Sequence, residues 1–160
     1  MDRRLLGIYL NDHLAGATGG VELARRALRN NRGTLYEPDL ARLVGEIDED
    51  RVTLERLMER LRIPRSPVKV PVAWALEKVG RLKPNGRLLE YSPLSRVVEL
   101  ELLASGVETK RALWLSLQTL ARDGVDLGVD VEELIARARR HRRLIERRRV
   151  QAAAEAFGSA

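Results

Sequence analysis

The chain has 160 residues, of which 44% are hydrophobic and 4% aromatic, and its formal net charge is +6. This length suits one domain whose hydrophobic core is filled mainly by aliphatic side chains. The absence of cysteine excludes disulfides, thiolate metal ligands and thiol nucleophiles, and it fits a reducing cytoplasm. Asn11, Asp12 and His13 interrupt the apolar stretch 5–10 too early for a signal peptide or a membrane span, so we expect a soluble cytoplasmic protein.

Two long helices are predicted in the first half of the chain. Apolar residues at alternating spacings of three and four predict the first helix over residues 3–30 and the second over residues 37–62. Gly16, Gly19 and Gly20 lie inside the first helix, where each costs about 1 kcal/mol relative to alanine. We therefore expect another helix or a second subunit to approach closely at these glycines.

After a long connection, the second half of the chain is predicted to form another pair of helices. Residues 63–91 are interrupted by prolines and predict a crossover that contains a short extra helix with Trp74. A third helix is predicted over residues 92–123 and a fourth over residues 131–156. The sequence thus predicts an all-α four-helix bundle, formed by residues 1–160 as a single domain, with a short, a long and a short connection.

In topology and helix length, the chain resembles the ferritin-like superfamily over nearly its whole length. The stretches 10–28 and 46–61 are similar to those of the stress-induced YciF-type members of that superfamily. Metal-binding members of such bundles take a glutamate from two helices and a Glu-x-x-His motif from the other two. That motif does not occur in this sequence. The resemblance therefore implies a ferritin-like bundle with a long crossover and with incomplete di-metal ligands.

Should two iron or manganese ions bind nonetheless, the candidate ligands are acidic and histidine side chains on the predicted helices. They are Glu22, Glu46, Asp50, Glu99, Glu101, His13 and His141. The register estimated from the connections puts Glu46 opposite Glu22 and level with Glu101, whereas both histidines lie about two turns, or about 10 Å, away. Because layers that far apart cannot share one dinuclear centre, we predict no metal site.

A buried polar cluster is predicted in place of a metal site. Its members are Glu46, Asp50, Glu99 and Lys110. A buried carboxylate needs a partner, and Lys110, at the edge of the inward stripe of the third helix, can pair with Glu99 or Asp50. We expect His13 and His141 to be hydrogen-bonded residues and not catalysts. No phosphate-binding loop, nucleophile elbow or zinc motif is present, so no catalytic or cofactor-binding residue is assigned.

These observations favour a non-enzymatic ferritin-like bundle with a structural or protein-interaction role, which we expect to be a homodimer. The first alternative is an atypical di-iron or di-manganese oxidoreductase or metal-storage protein. The second alternative is nucleic-acid binding by the arginine-rich fourth helix, and it is less favoured because that helix also contains glutamates. The candidate contacts to an anionic partner are Arg139, Arg140, Arg143 and Arg147. No membrane association is expected, because the apolar stripe of this helix is needed for the core.

Overall fold

The computed structural model describes residues 2–66 and 91–158, and the regular secondary structure of these residues is entirely helical. The helices are α1 (Arg3–Asn30), α2 (Glu37–Arg60), α3 (Pro93–Arg122) and α4 (Val131–Phe157). For the described residues, the predicted all-α class is confirmed, and each helix begins and ends within two residues of its predicted bounds. The short extra helix with Trp74 and most of the crossover 63–91 fall in residues 67–90, outside the described residues.

Local sequence signals fix where three of the helices begin. Asp2, Ser92 and Asp130 each accept a hydrogen bond from the backbone N–H three residues later, at 3.0–3.2 Å. Such caps contribute about 1 kcal/mol each, because they satisfy N–H groups that have no partner within the helix. α2 has no side-chain cap and begins instead with Pro38 in its first turn.

Contacts at both ends show that α1 and α3 are antiparallel neighbours. The Tyr9 hydroxyl lies 3.1 Å from the Ser116 hydroxyl, near the beginning of α1 and the end of α3. The Asn30 side-chain amide donates to Glu99 at 3.0 Å, near the end of α1 and the beginning of α3. α1 also packs against α2, and α3 packs against α4.

α2 and α4 close the bundle as a fourth antiparallel pair. Asp39 accepts a hydrogen bond from Arg148 at 2.7 Å, and Glu49 accepts one from Arg137 at 3.0 Å.

Contacts of Arg3 with the Leu61 carbonyl and of Arg25 with Asp48 make α1 and α2 antiparallel as well. Because α2 and α3 are both antiparallel to α1, they lie on a diagonal and run in the same direction. It follows that the end of α2 and the beginning of α3 lie at opposite ends of the bundle.

Aliphatic side chains from all four helices fill the core. Leu10, Leu43, Leu100 and Ile145 contribute one side chain per helix, and with Trp114 they are at most 2% exposed. Within the described residues, four polar side chains share this interior: Asn31, Asp50, Glu99 and His141. No described helix combines the length and the apolar character that crossing a bilayer requires.

Candidate functional site

Four charged side chains and one histidine, from α2, α3 and α4, meet halfway along the bundle. We call this group the central cluster, and its members are Glu46, Asp50, Lys110, Arg137 and His141. Asp50 and His141 are each only 2% exposed, although both are polar. Asp50 lies on the buried stripe of α2, with Glu46 one helical turn before it, so the two side chains face the same seam.

Lys110 links the other members of the central cluster. Its Nζ donates to Asp50 Oδ2 at 2.5 Å and to His141 Nδ1 at 3.0 Å. Arg137 Nη1 lies 3.3 Å from Asp50 Oδ1, which is an ion-pair contact without hydrogen-bond geometry. The buried Asp50 carboxylate is thus neutralised by two cations from different helices, as a charge in this environment requires.

The neighbours of His141 fix its tautomer. Lys110 has only donors, so Nδ1 of His141 must accept, and Nε2, 2.5 Å from Glu46 Oε2, must then donate. This assignment requires a neutral imidazole. Burial and the charge of Lys110 lower the pKa of His141, and the hydrogen bond to Glu46 opposes them. Burial also lowers the pKa of Lys110, whereas the Asp50 carboxylate opposes that shift.

The same contacts leave the central cluster poorly suited to a divalent metal. Both ring nitrogens of His141 are engaged, and Asp50 Oδ2 accepts from Lys110. An ammonium at this position would also repel a dication. Across residues 2–66 and 91–158, no group of three or more histidine and carboxylate side chains could hold a metal ion.

Glu99 belongs to a second buried cluster, near the end of the bundle where α1 ends and α3 begins. Its Oε1 lies 3.1 Å from Arg26 Nε in an ion pair and accepts a hydrogen bond from Asn30 at 3.0 Å. Its Oε2 accepts a hydrogen bond from the Tyr91 hydroxyl at 2.9 Å. Burial raises the pKa of Glu99, and the hydrogen bond from Tyr91 opposes this shift. The prediction that Glu99 shares one cluster with Asp50 and Lys110 is therefore corrected, because Asp50 is the carboxylate among the described residues with which Lys110 forms an ion pair.

The remaining candidate ligands lie away from the central cluster. Glu22 forms an exposed ion pair within α1, and Glu101 lies on the exposed side of α3. His13 packs edge-on against Tyr9 with ring centroids 4.5 Å apart, and burial lowers its pKa. Of the seven candidate ligands, only Glu46, Asp50 and His141 are brought together.

The predicted separation of acidic and histidine layers is wrong for His141, which contacts Glu46 directly. The sequence-based register matched Glu46 to Glu101 across the parallel helices, an offset of 55 residues, whereas Asp50 and Lys110 pair across 60. The five-residue difference is about 7.5 Å along a helix. A long crossover is compatible with several axial positions of α3 relative to α2 in the same topology. The sequence pattern could therefore not determine which position forms.

Two residues that the sequence analysis did not single out complete the clusters. Arg137 lies four residues before His141, so both side chains point to the same side of α4. That spacing could have indicated Arg137 as a partner for Asp50. Tyr91 precedes α3 and carried no comparable signal, because its partner Glu99 is reached only after packing.

Comparison with protein-family models, with curated proteins and with solved structures finds no match to this chain. The functional argument therefore depends on the side chains of the chain itself and on their geometry.

Proposed function

We propose that this protein is a non-enzymatic ferritin-like helical bundle with a structural or protein-interaction role, in which an ion-pair cluster takes the place of a metal pair. The helix directions support a ferritin-like topology: each hairpin has a short connection, and the two hairpins are joined so that α2 and α3 run parallel. This is the arrangement that needs a long crossover between the second and third helices.

The observation that best supports this proposal is the position of the Lys110 ammonium between Asp50 and His141. In ferritin-like metalloproteins, the ions lie in the bundle core between facing helices. Here Lys110 supplies positive charge beside a core carboxylate on α2 and also contacts α4. Buried ion pairs add little net stability, but breaking one leaves an uncompensated charge at a cost of about 3–5 kcal/mol. The cluster therefore favours one register of three helices over others.

The atypical di-metal alternative would require a different arrangement of the same residues. Lys110 would have to leave Asp50, and His141 would have to release either Lys110 or Glu46 to offer a lone pair. Each step breaks a contact of 2.5–3.0 Å inside the bundle. The contacts of Lys110 thus favour the non-enzymatic role over metal chemistry.

Metal analysis of protein produced with added iron or manganese tests the proposal. We expect far less than one ion per chain after gel filtration, because no ligand set of residues 2–66 or 91–158 is free to bind one. Stoichiometric metal near two ions per chain would overturn the proposal and support the oxidoreductase or storage alternative.

A matched pair of variants decides what any residual metal means. Glu46→Ala removes a member of the central cluster, whereas Glu49→Ala removes an exposed carboxylate three residues away. If metal binds in the bundle, only Glu46→Ala should abolish it. Equal metal content in both variants would indicate adventitious surface binding and leave the proposal standing.

A further inference from the structure

The side of α4 that faces away from the bundle is strongly basic. Four exposed arginines lie on it, within an arc of about 100° at 3.6 residues per turn. We call them the basic face: Arg139, Arg140, Arg143 and Arg147. α4 as a whole has eight arginines against four glutamates, so its net charge of +4 supplies most of the +6 of the chain.

The other arginines of α4 are engaged in pairing along its flanks. Arg137 and Arg148 donate to carboxylates of α2 at 3.0 and 2.7 Å. Arg142 and Arg149 share Glu146 at 2.9 and 2.7 Å, and their hydrogen bonds lower the pKa of Glu146 to about 2. These four arginines therefore have partners within the fold.

Within the described residues, three of the four members of the basic face have no such partner. No carboxylate of residues 2–66 or 91–158 lies within ion-pair distance of Arg139, Arg143 or Arg147. Arg140 pairs with Glu133 at 2.6 Å, but both side chains are about half exposed, and such pairs are weak. Among the described residues, the outward positive charge of these three arginines is thus not neutralised and can attract an external anion.

We propose that the basic face binds the phosphodiester backbone of a nucleic-acid duplex. Arg139, Arg143 and Arg147 follow one another at about 6 Å along the helix, and a duplex offers a phosphate charge every 1.7 Å or so along its axis. Every arginine can therefore reach a phosphate, and its guanidinium can bind two oxygens at once. Because phosphate contacts carry no sequence information, the binding is independent of base sequence.

A membrane surface fits this face less well. Val150 and Phe157 lie in the same arc and are 53% and 68% exposed, but they are seven residues, or about 10 Å, apart. Stable interfacial binding needs a continuous apolar stripe, which two separated side chains do not form. A basic surface with so little apolar area matches a polyanion in water.

Binding to a labelled duplex DNA of mixed sequence, measured by fluorescence anisotropy from 50 to 200 mM NaCl, tests the inference. Three phosphate contacts predict that log Kobs falls with log [NaCl] at a slope of about −2.7, which weakens binding roughly 40-fold across this range. The variant Arg139→Gln/Arg143→Gln/Arg147→Gln should flatten that slope by about 2.7 units. Arg143→Gln alone should flatten it by about one unit.

The matched control removes the same charge from other surfaces. Arg4, Arg29 and Arg56 are exposed on α1 and α2, and changing all three to glutamine should leave the slope nearly unchanged. No binding of wild-type protein at 50 mM NaCl would overturn the inference, and so would an equal loss in both triple variants. Tighter binding to anionic vesicles than to DNA, lost in Phe157→Ala, would assign the face to a membrane instead.

This inference goes beyond the proposed function, and the two tests fail separately. Metal content decides whether the central cluster replaces a metal pair, and it does not alter phosphate binding at the basic face. Stoichiometric metal with intact DNA binding overturns the proposed function alone. Metal-free protein that does not bind DNA would overturn this inference alone.

Discussion

The two ring nitrogens of His141 have opposite roles because their neighbours have opposite hydrogen-bonding capacity. Lys110 can only donate, and an ionised Glu46 can only accept, so a neutral imidazole satisfies both. Protonation would turn Nδ1 into a second donor facing the ammonium. That repulsion adds to burial, and together they hold the pKa of His141 below its usual value of 6.5.

We predict that His141 makes the fold less stable as the solution is acidified below pH 6.5. Above that pH, the imidazole is neutral in both the folded and the unfolded state, so it adds nothing to the pH dependence of the free energy of unfolding. Below it, the unfolded chain binds a proton that the folded chain does not, so the free energy of unfolding falls until the folded pKa is reached. The slope from this residue is at most about 1.4 kcal/mol per pH unit. Urea unfolding between pH 5 and 8 measures it.

His141→Gln is the informative control, because its amide can donate to Glu46 and accept from Lys110 without titrating. The variant should show a flatter dependence on pH in this window. His13, whose pKa is also lowered by burial, remains in both proteins and cancels in the comparison. Identical slopes for the variant and the wild type would mean that His141 binds a proton as readily in the folded state as in the unfolded chain, contrary to a pKa lowered by folding.

At the scale of the helix, α1 contains glycines that no described residue approaches closely enough to exclude a side chain. A Cβ built at Gly16 or Gly20 meets no atom of the described residues within 4 Å. The expected close approach of another helix is therefore not seen at these two positions. A contact with a second subunit at these glycines remains a prediction. Without such a contact, Gly16 and Gly20 would only weaken the helix.

Gly16→Ala and Gly20→Ala should each stabilise the monomeric fold by about 0.5–1 kcal/mol, because alanine has less freedom to lose in a helix and fits the open space. Chemical unfolding at low protein concentration measures this change. Gly33→Ala is the control: its backbone φ of +72° disfavours a side chain, so this change should destabilise the fold. Destabilisation by Gly16→Ala with loss of a dimer would instead indicate that a subunit packs there.

The sequence predicted the features that depend on residues close together in the chain, and it missed those that depend on how the helices pack. The helix bounds depend on periodicity and on caps such as Ser92 and Asp130, which act within a turn, and they were predicted closely. Asp50 could be recognised as a polar residue on a buried stripe for the same reason. The contact between Glu46 and His141 depends on how far α3 and α4 slide along α2, and no local signal carries that information.

At the scale of the whole molecule, two surfaces on different helices remain without a partner in the described residues: the basic face of α4 and an apolar strip on α1. Leu5 and Ile8 are 55% and 53% exposed, and Leu5 borders a groove of about 300 Å³ between α1 and α3. Gly16 lies on the same outward side of α1, three turns later. This strip is the surface that we expect to support the predicted homodimer.

Leu5→Glu/Ile8→Glu should convert a homodimer into a monomer, because each new carboxylate would have to be buried without a partner. Light scattering coupled to gel filtration, at several protein concentrations, measures the mass directly. The fold should keep most of its stability, since both side chains are already about half exposed within the single chain. Val150→Glu adds a charge at an equally exposed valine on α4 and should leave the dimer intact. A wild-type protein that stays monomeric at every concentration would contradict the homodimer, and dissociation by Val150→Glu alone would move the interface to α4.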